Sequence, residues 1–246
     1  MLMLKLTKIF LYSFVNDFMR SVITFNFCSN KLQFKYIGNS YSGYWFPEHL
    51  LNSRGTIYGI GLGLDSSFEQ ELVKKGYKFF GFEPENESYL KSKQQFSDSK
   101  TEIYNFGIGT SDSYLYSRGS NYSIAKTYGH LPINKQLFQI RSLWSVCESL
   151  KLLESNEPRV LKMNIEGAEK EILEKFITNP LPFQIVMFQA EFLFHLRFYQ
   201  FYRRSYEFNN LWNILKNFEK IGYKTVNISK NQITLYQLEK YENTVS

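Results

Sequence analysis

A three-layer α/β domain is the fold class that the sequence predicts, with a seven-stranded, mostly parallel sheet closed by a C-terminal antiparallel hairpin. Three observations predict it. From residue 56 onward, short apolar runs alternate with helix-period segments, the pattern of βαβ units around a parallel sheet. Glycines cluster in Gly59-Ile60-Gly61-Leu62-Gly63, at the junction of the first apolar run and the first helical segment. The last two runs are separated only by Ser229-Lys230-Asn231-Gln232, which reads as a hairpin turn. The 246 residues fit one such domain. With 43% apolar and 18% aromatic residues, the chain can bury a sizeable core, and disorder is excluded. The expected architecture is Rossmann-like.

The elements follow in order. Thr56–Ile60 is the first strand. Ser66–Lys75 is a helix, with Ser66 and Glu69 spaced as a capping box, Gly76 as its stop and Phe68, Leu72 and Val73 on one apolar face. Tyr77–Phe82 is a strand, Glu85–Gln95 a helix and Ile103–Phe106 the third strand. Residues 107–135 are rich in Gly, Ser and Tyr without helical period and read as a loop or hairpin excursion over the sheet edge. Arg141–Leu153 returns to helix. Val160–Met163 is a strand buried on both faces. Gly167–Ile177 is a helix ended by Asn179-Pro180. Gln184–Gln189 is the fifth strand and Phe208–Lys220 a helix stopped by Gly222. Lys224–Ile228 and Ile233–Leu238 are the closing strands. Residues 1–50 read as an N-terminal extension or cap, and 51–246 as the main domain.

Charge and cysteine content narrow the class. The net charge is +6, spread along the chain. Its densest cluster, Arg197, Arg203 and Arg204 among aromatics of the 194–206 segment, reads as a solvated face rather than a nucleic-acid stripe. An anionic small substrate is compatible with this balance. Cys28 and Cys147 are the two cysteines and read as lone thiols without metal spacing, which favours a reducing, cytoplasmic compartment. The apolar run Ile9–Val15 is too short to span a membrane and is not followed by a signal-peptide cleavage site. It reads as an amphipathic helix capping the domain, with a membrane-surface anchor as the alternative.

The chemistry concentrates at strand ends. Glycines after Ile60 let the backbone turn tightly beside a ligand, and the following helix N-terminus offers free N–H groups. A plain βα turn, a dinucleotide site and an adenosyl site all use such a segment. The dinucleotide fingerprint needs a small residue three positions after its second glycine. Counted from Gly59 that residue is Leu64, and from Gly61 it is Ser66. S-adenosyl-L-methionine has no pyrophosphate, so a looser turn suffices. Glu83 ends the next strand, 22 positions after Gly61, where a carboxylate can accept hydrogen bonds from both ribose hydroxyls; Pro84 stops that strand. The stretch Leu161-Lys162-Met163-Asn164-Ile165-Glu166-Gly167-Ala168-Glu169 aims Asn164 and Glu166 at the same crevice. Glu169 reads as a helix N-terminal charge.

These pieces, in this order, resemble the FkbM-type methyltransferases. The resemblance covers residues 41–240, about four-fifths of the chain. It runs through Tyr44-Trp45-Phe46-Pro47, Ile57 to Asp65, Phe82-Glu83-Pro84, Asn105-Phe106-Gly107-Ile108-Gly109, Ile140-Arg141-Ser142-Leu143, Leu161 to Glu169 and Gln189-Ala190-Glu191. It implies a class I methyltransferase fold and S-adenosyl-L-methionine as cofactor, held by Gly59, Gly61, Gly63, Asp65, Glu83, Pro84, Gly107 and Asn164. It also implies O-methylation of a hydroxyl on a small-molecule acceptor such as a glycan, lipid-linked sugar or secondary metabolite. The expected partners include no nucleic acid, and no integral membrane span is expected. The reaction needs the acceptor oxygen placed in line with the methyl and water excluded, helped by a general base. Glu166, His130 and Glu191 are the base candidates; Asn164 lies at the reacting end, His195 on the acceptor side, and His49 reads as structural. The family usually carries Asp where this chain has Asn164. An amide is a poor hard-metal ligand, so no metal is expected. The same departure leaves open a non-catalytic module that binds adenosyl ligands or a partner.

Overall fold

A computed structural model describes residues 2–27, 32–40, 42–96, 99–116, 137–151, 157–165, 167–190, 201–229 and 232–237. The strands are β1 (Phe34–Ile37), β2 (Tyr44–Pro47), β3 (Thr56–Ile60), β4 (Lys78–Phe82), β5 (Thr101–Tyr104), β6 (Gly107–Gly109), β7 (Ser113–Tyr116), β8 (Leu137–Ser142), β9 (Arg159–Met163), β10 (Ile185–Gln189), β11 (Tyr223–Ser229) and β12 (Gln232–Gln237). The helices are α1 (Leu2–Phe27), α2 (Ser67–Lys74), α3 (Asn86–Gln95), α4 (Leu143–Ser149), α5 (Glu169–Thr178) and α6 (Phe201–Lys220).

The central sheet has seven strands in the order β11-β12-β10-β9-β3-β4-β5. The pairs β3/β4, β4/β5, β3/β9 and β9/β10 are parallel, while β12 runs antiparallel to both β10 and β11. The chain winds outward from β3 through β4 to β5 and then returns to the other side of β3 through β9 and β10. The switch point, where ligands sit in doubly wound sheets, therefore lies between the carboxyl ends of β3 and β9.

Burial on both faces explains why the central strands are mostly apolar, with Lys162 of β9 the main departure. Tyr58, Ile60, Leu161, Met163, Val186 and Phe188 face one core, covered by α1, α4, α5 and α6. Ile57, Phe79, Val160, Ile185 and Met187 face the other, covered by α2 and the β1–β2 hairpin. A strand buried on both faces shows an unbroken hydrophobic run. Aromatic rings fill the first core. Phe176 stacks on Phe218 at 5.5 Å and meets Tyr223 edge-on at 5.9 Å. Burying a ring of this size is worth about 1.5–3 kcal/mol. The N-terminal residues join these cores. Met19, Ile23 and Phe27, on one face of α1, belong to the first, and Phe27 meets Trp212 of α6 edge-on at 4.7 Å. Ile37, Tyr44 and Phe46 of the hairpin belong to the second.

Three local expectations are corrected. The third strand is Thr101–Tyr104, two residues earlier than expected, because its register is set by β4, with Phe82 opposite Tyr104; Phe106 lies beyond it, beneath the Arg141 guanidinium at 5.3 Å from the ring centroid. Arg141 and Ser142 end a strand rather than open a helix. The run Leu137–Ser142 alternates exposed and buried, with Phe138 and Ile140 inward, which is strand period. It pairs with β6 and β7 in a separate three-stranded sheet, so the described ends of the excursion are strands. Ser66 does not cap α2 with its side chain, and Glu69 does not reach back as a capping box; the Ser66 hydroxyl donates to Gln95 Oε1 at 3.0 Å instead. Among the described residues no helix is long and apolar enough to cross a membrane.

Candidate functional site

The switch point brings together the turn after β3, the ends of β4 and β9, and the first turn of α5. Gly61 has φ +72° and Gly63 φ +57°, both left-handed. A Cβ on Gly61 would stand 2.1 Å from the Asn164 carbonyl oxygen, so this glycine is demanded by close approach as well as by φ. A Cβ on Gly63 would meet nothing within 4 Å, and that residue opens outward. Gly59 differs from both. It lies within β3, where a Cβ would meet the Phe79 ring at 2.8 Å, so its smallness serves packing inside the layer.

Glu83 is the hub of the turn. Its Oε2 accepts from the Leu62 and Gly63 amides, each at 2.9 Å, and its Oε1 accepts from the Glu85 amide at 2.9 Å. A carboxylate has about four acceptor positions, so Oε1 keeps room for one further donor. Glu83 is 5% exposed. Burial raises its pKa, against the lowering effect of the three amides, and neighbouring Glu85 raises it further. Glu85 itself caps α3, accepting from the Glu87 and Ser88 amides at 2.9 and 2.6 Å. After β5, the Asn105 side-chain amide donates to the Glu83 and Pro84 carbonyls at 3.1 and 3.4 Å. Gly107 opens β6 directly beyond.

Asp65 closes the far side of the turn. It accepts from the Ser67 amide at 3.0 Å, from the Ser42 hydroxyl at 2.8 Å and from the Asn39 side-chain amide at 2.5 Å. Asn39 and Ser42 lie in the β1–β2 connection, so Asp65 latches the N-terminal hairpin to the start of α2. Burial works to raise the Asp65 pKa, but these hydrogen bonds together leave it lowered. The contribution of a carboxylate lowered in the folded state is complete above its unfolded pKa and lost as pH falls through the folded value. Asp65→Ala is expected to cost about 1–2 kcal/mol in urea denaturation at neutral pH. That difference should shrink below about pH 4; one that persists unchanged into acid would show that the latch does not depend on the charge.

The β9 end is organised by a second carboxylate. The Asn164 amide continues the ladder to the Ile60 carbonyl at 2.9 Å. Glu169, 0% exposed, accepts from the Ile165 amide at 2.6 Å and the Gly167 amide at 2.7 Å. It therefore shapes the segment that bears Asn164, beyond carrying charge in the first turn of α5.

One pair was not foreseen from the sequence. Lys162 of β9 and Glu69 of α2 form an ion pair at 2.9 Å, with side chains 1% and 0% exposed. The Lys162 ammonium also reaches the Gly61 carbonyl at 3.4 Å and lies 5.6 Å from the centroid of the Tyr44 ring. Its signal was present: a lysine in the middle of Val160-Leu161-Lys162-Met163 must be paired if that strand is buried.

Of the expected site residues, the structure brings Gly61, Gly63, Asp65, Glu83, Pro84 and Asn164 to the switch point, with Gly107 just past the β5 end. Glu166, His130, Glu191 and His195 lie outside the described residues, as do Arg197 and Cys28. His49 lies away from the site, its Nε2 3.2 Å from the Tyr236 hydroxyl. Cys147 is buried, and burial pushes its thiol up to about 12. Among the described residues no group of three His, Cys, Asp or Glu stands ready for a metal ion.

The arrangement discriminates between ligand classes. A pyrophosphate is bound by free amides of the turn and of the helix N-terminus. Here the amides of Leu62, Gly63 and Ser67 are all taken by carboxylates, and Glu83 and Asp65 add negative charge on either side. Those three amides are therefore not free for an anion, and Glu83 keeps an acceptor position for a hydroxyl donor. No family model matches the sequence, and no curated protein matches it. Among solved structures, a fibrillarin/Nop5p complex is similar over 76% of this chain and 74% of that chain, at 11% identity and a TM-score of 0.40.

Proposed function

We propose that this protein is an S-adenosyl-L-methionine-dependent methyltransferase of the FkbM type, acting on a hydroxyl of a sugar, glycolipid or secondary metabolite. The observation that carries the reading is the carboxylate-lined glycine turn at the β3/β9 switch point. It has an acceptor position left on Glu83 for a ribose hydroxyl, and it disfavours the phosphates of a dinucleotide. The donor set fits the cofactor: Gly63 leaves open space beside the turn, and the acidic surroundings suit a sulfonium cation. When bound, the cofactor supplies an already electrophilic methyl group. This chain's part is to hold it at the turn, to bring the acceptor oxygen in line and to keep water out. Glu166, three positions before α5 in sequence, is the residue proposed to take the acceptor's proton, with His130 the alternative base; Asn164 orients rather than ionises, which suits a reaction without a hard metal.

The test is thermal unfolding of the protein with S-adenosylhomocysteine and, in parallel, with NADH. A ligand at ~100 times its dissociation constant adds about 2.7 kcal/mol, a rise of several degrees. Glu83→Gln keeps the side-chain volume and one acceptor oxygen but loses the charge. It is expected to weaken S-adenosylhomocysteine binding by about 10- to 100-fold, the worth of a hydrogen bond to a charged group. A rise with NADH alone would overturn the reading.

A further inference from the structure

We infer that the buried Lys162–Glu69 pair is a positioning device for the glycine turn, holding it in ligand-binding shape from beneath. Three observations carry this. Lys162 stands in register with Gly59 on β3, so its side chain leaves the sheet directly under the turn that Gly59 leads into. Its ammonium reaches the carbonyl of Gly61 at 3.4 Å, the glycine of the turn that lies closest against the Asn164 backbone. Its partner Glu69 sits in the first turn of α2, the helix that the glycine turn opens.

One cation therefore ties a turn carbonyl to the helix that follows it, while Glu83 holds two of the turn's amides from the other side. Tyr44 of β2 lies over the same cation, so the N-terminal hairpin meets the turn here as well as through Asp65. A buried ion pair is weak evidence for stability as such, because an apolar pair of similar volume is often as stable or more so. Its value here is geometric: an apolar pair would fill the space and leave the Gly61 carbonyl without its charged donor. Lys162 and Glu69 lie beneath the turn and act through it.

The experiment compares the wild type with Lys162→Met/Glu69→Leu by site-resolved amide hydrogen exchange, without ligand. The expected result is a melting temperature close to wild type, with exchange at Leu62 and Gly63 accelerated about tenfold or more, while amides of β9 and of the second turn of α2 keep their protection. Unchanged exchange at Leu62 and Gly63 would overturn the inference. So would acceleration spread evenly over the domain, which would make the pair a general staple. If the apolar pair does not fold, Lys162→Gln/Glu69→Gln is read by the same criteria, since it keeps polar groups at both positions but removes the charges and shortens the reach to Gly61.

The ligand arm of the inference rests on the methyltransferase reading and is measured separately. The double variant should bind S-adenosylhomocysteine at least tenfold more weakly than wild type. No binding by the wild type would sink that reading and leave the exchange result to decide the role of the pair. Wild-type affinity in a double variant with a loosened turn would overturn the claim that the pair serves ligand binding.

Discussion

Gly61→Ala is expected to destabilise the protein by about 3 kcal/mol or more and to abolish S-adenosylhomocysteine binding. Two costs add at this position. An alanine at φ +72° carries the left-handed penalty of about 1–2 kcal/mol. Its Cβ would also stand 2.1 Å from the Asn164 carbonyl oxygen, which is main chain and cannot swing aside like the end of a side chain. Neither strand end is free to yield. The Gly61 amide donates to Phe82 at 3.0 Å, and the Asn164 amide donates to Ile60 at 2.9 Å. Relief would have to break the ladder at the switch point, which is where the ligand is proposed to lie.

Gly63→Ala supplies the internal control. That residue has φ +57° and open space around it, so only the conformational penalty applies, about 1 kcal/mol. The midpoints of urea denaturation should separate the two variants clearly. Equal costs at the two positions would mean that the approach of β3 to β9 is looser than the geometry has it.

The contrast between these glycines shows where the sequence was readable. The cluster Gly59-Ile60-Gly61-Leu62-Gly63 marked the turn, and the strand before it was legible to the residue, because β3 is apolar on both faces and is bounded by Gly55 and by the turn. The different reasons for the three glycines were not legible, since they depend on Phe79 and Asn164 arriving from other strands. The same holds for the acids. Glu83 could be placed at the tip of β4 by its spacing, but not its engagement with three amides, which requires the turn to fold back over it.

The spacing of Ser66 and Glu69 pointed to a capping box by a local rule. A long-range partner overrode that rule, because Glu69 is drawn inward to Lys162. The start of β8 was hidden for another reason. The helical period that begins at Leu143 can be extended backward through Arg141, while the strand alternation of Phe138 and Ile140 follows a segment with no clear period. Local patterns therefore gave the layers and the crevice, and tertiary contacts determined how the crevice is lined.

Glu169→Ala is expected to cost about 3 kcal/mol, and the outcome separates two physical roles for one residue. If Glu169 only complements the dipole at the start of α5, its removal should cost about 0.3–1 kcal/mol and be screened by salt. The structure has its carboxylate completely buried, with Oε1 on the Ile165 amide and Oε2 on the Gly167 amide at 2.6 and 2.7 Å. Hydrogen bonds to a charged acceptor are worth about 1.5–3 kcal/mol each, and deleting the acceptor leaves two half-buried donors without it. Glu169→Gln keeps one carbonyl oxygen and should fall between wild type and alanine. The same order should hold for S-adenosylhomocysteine affinity, because the segment shaped by Glu169 carries Asn164 to the switch point and leads into α5. A salt-sensitive loss below about 1 kcal/mol, with ligand affinity unchanged, would return Glu169 to the dipole role. A large, salt-insensitive loss accompanied by weaker binding would make it the carboxylate that sets the β9 side of the site, as Glu83 sets the β4 side.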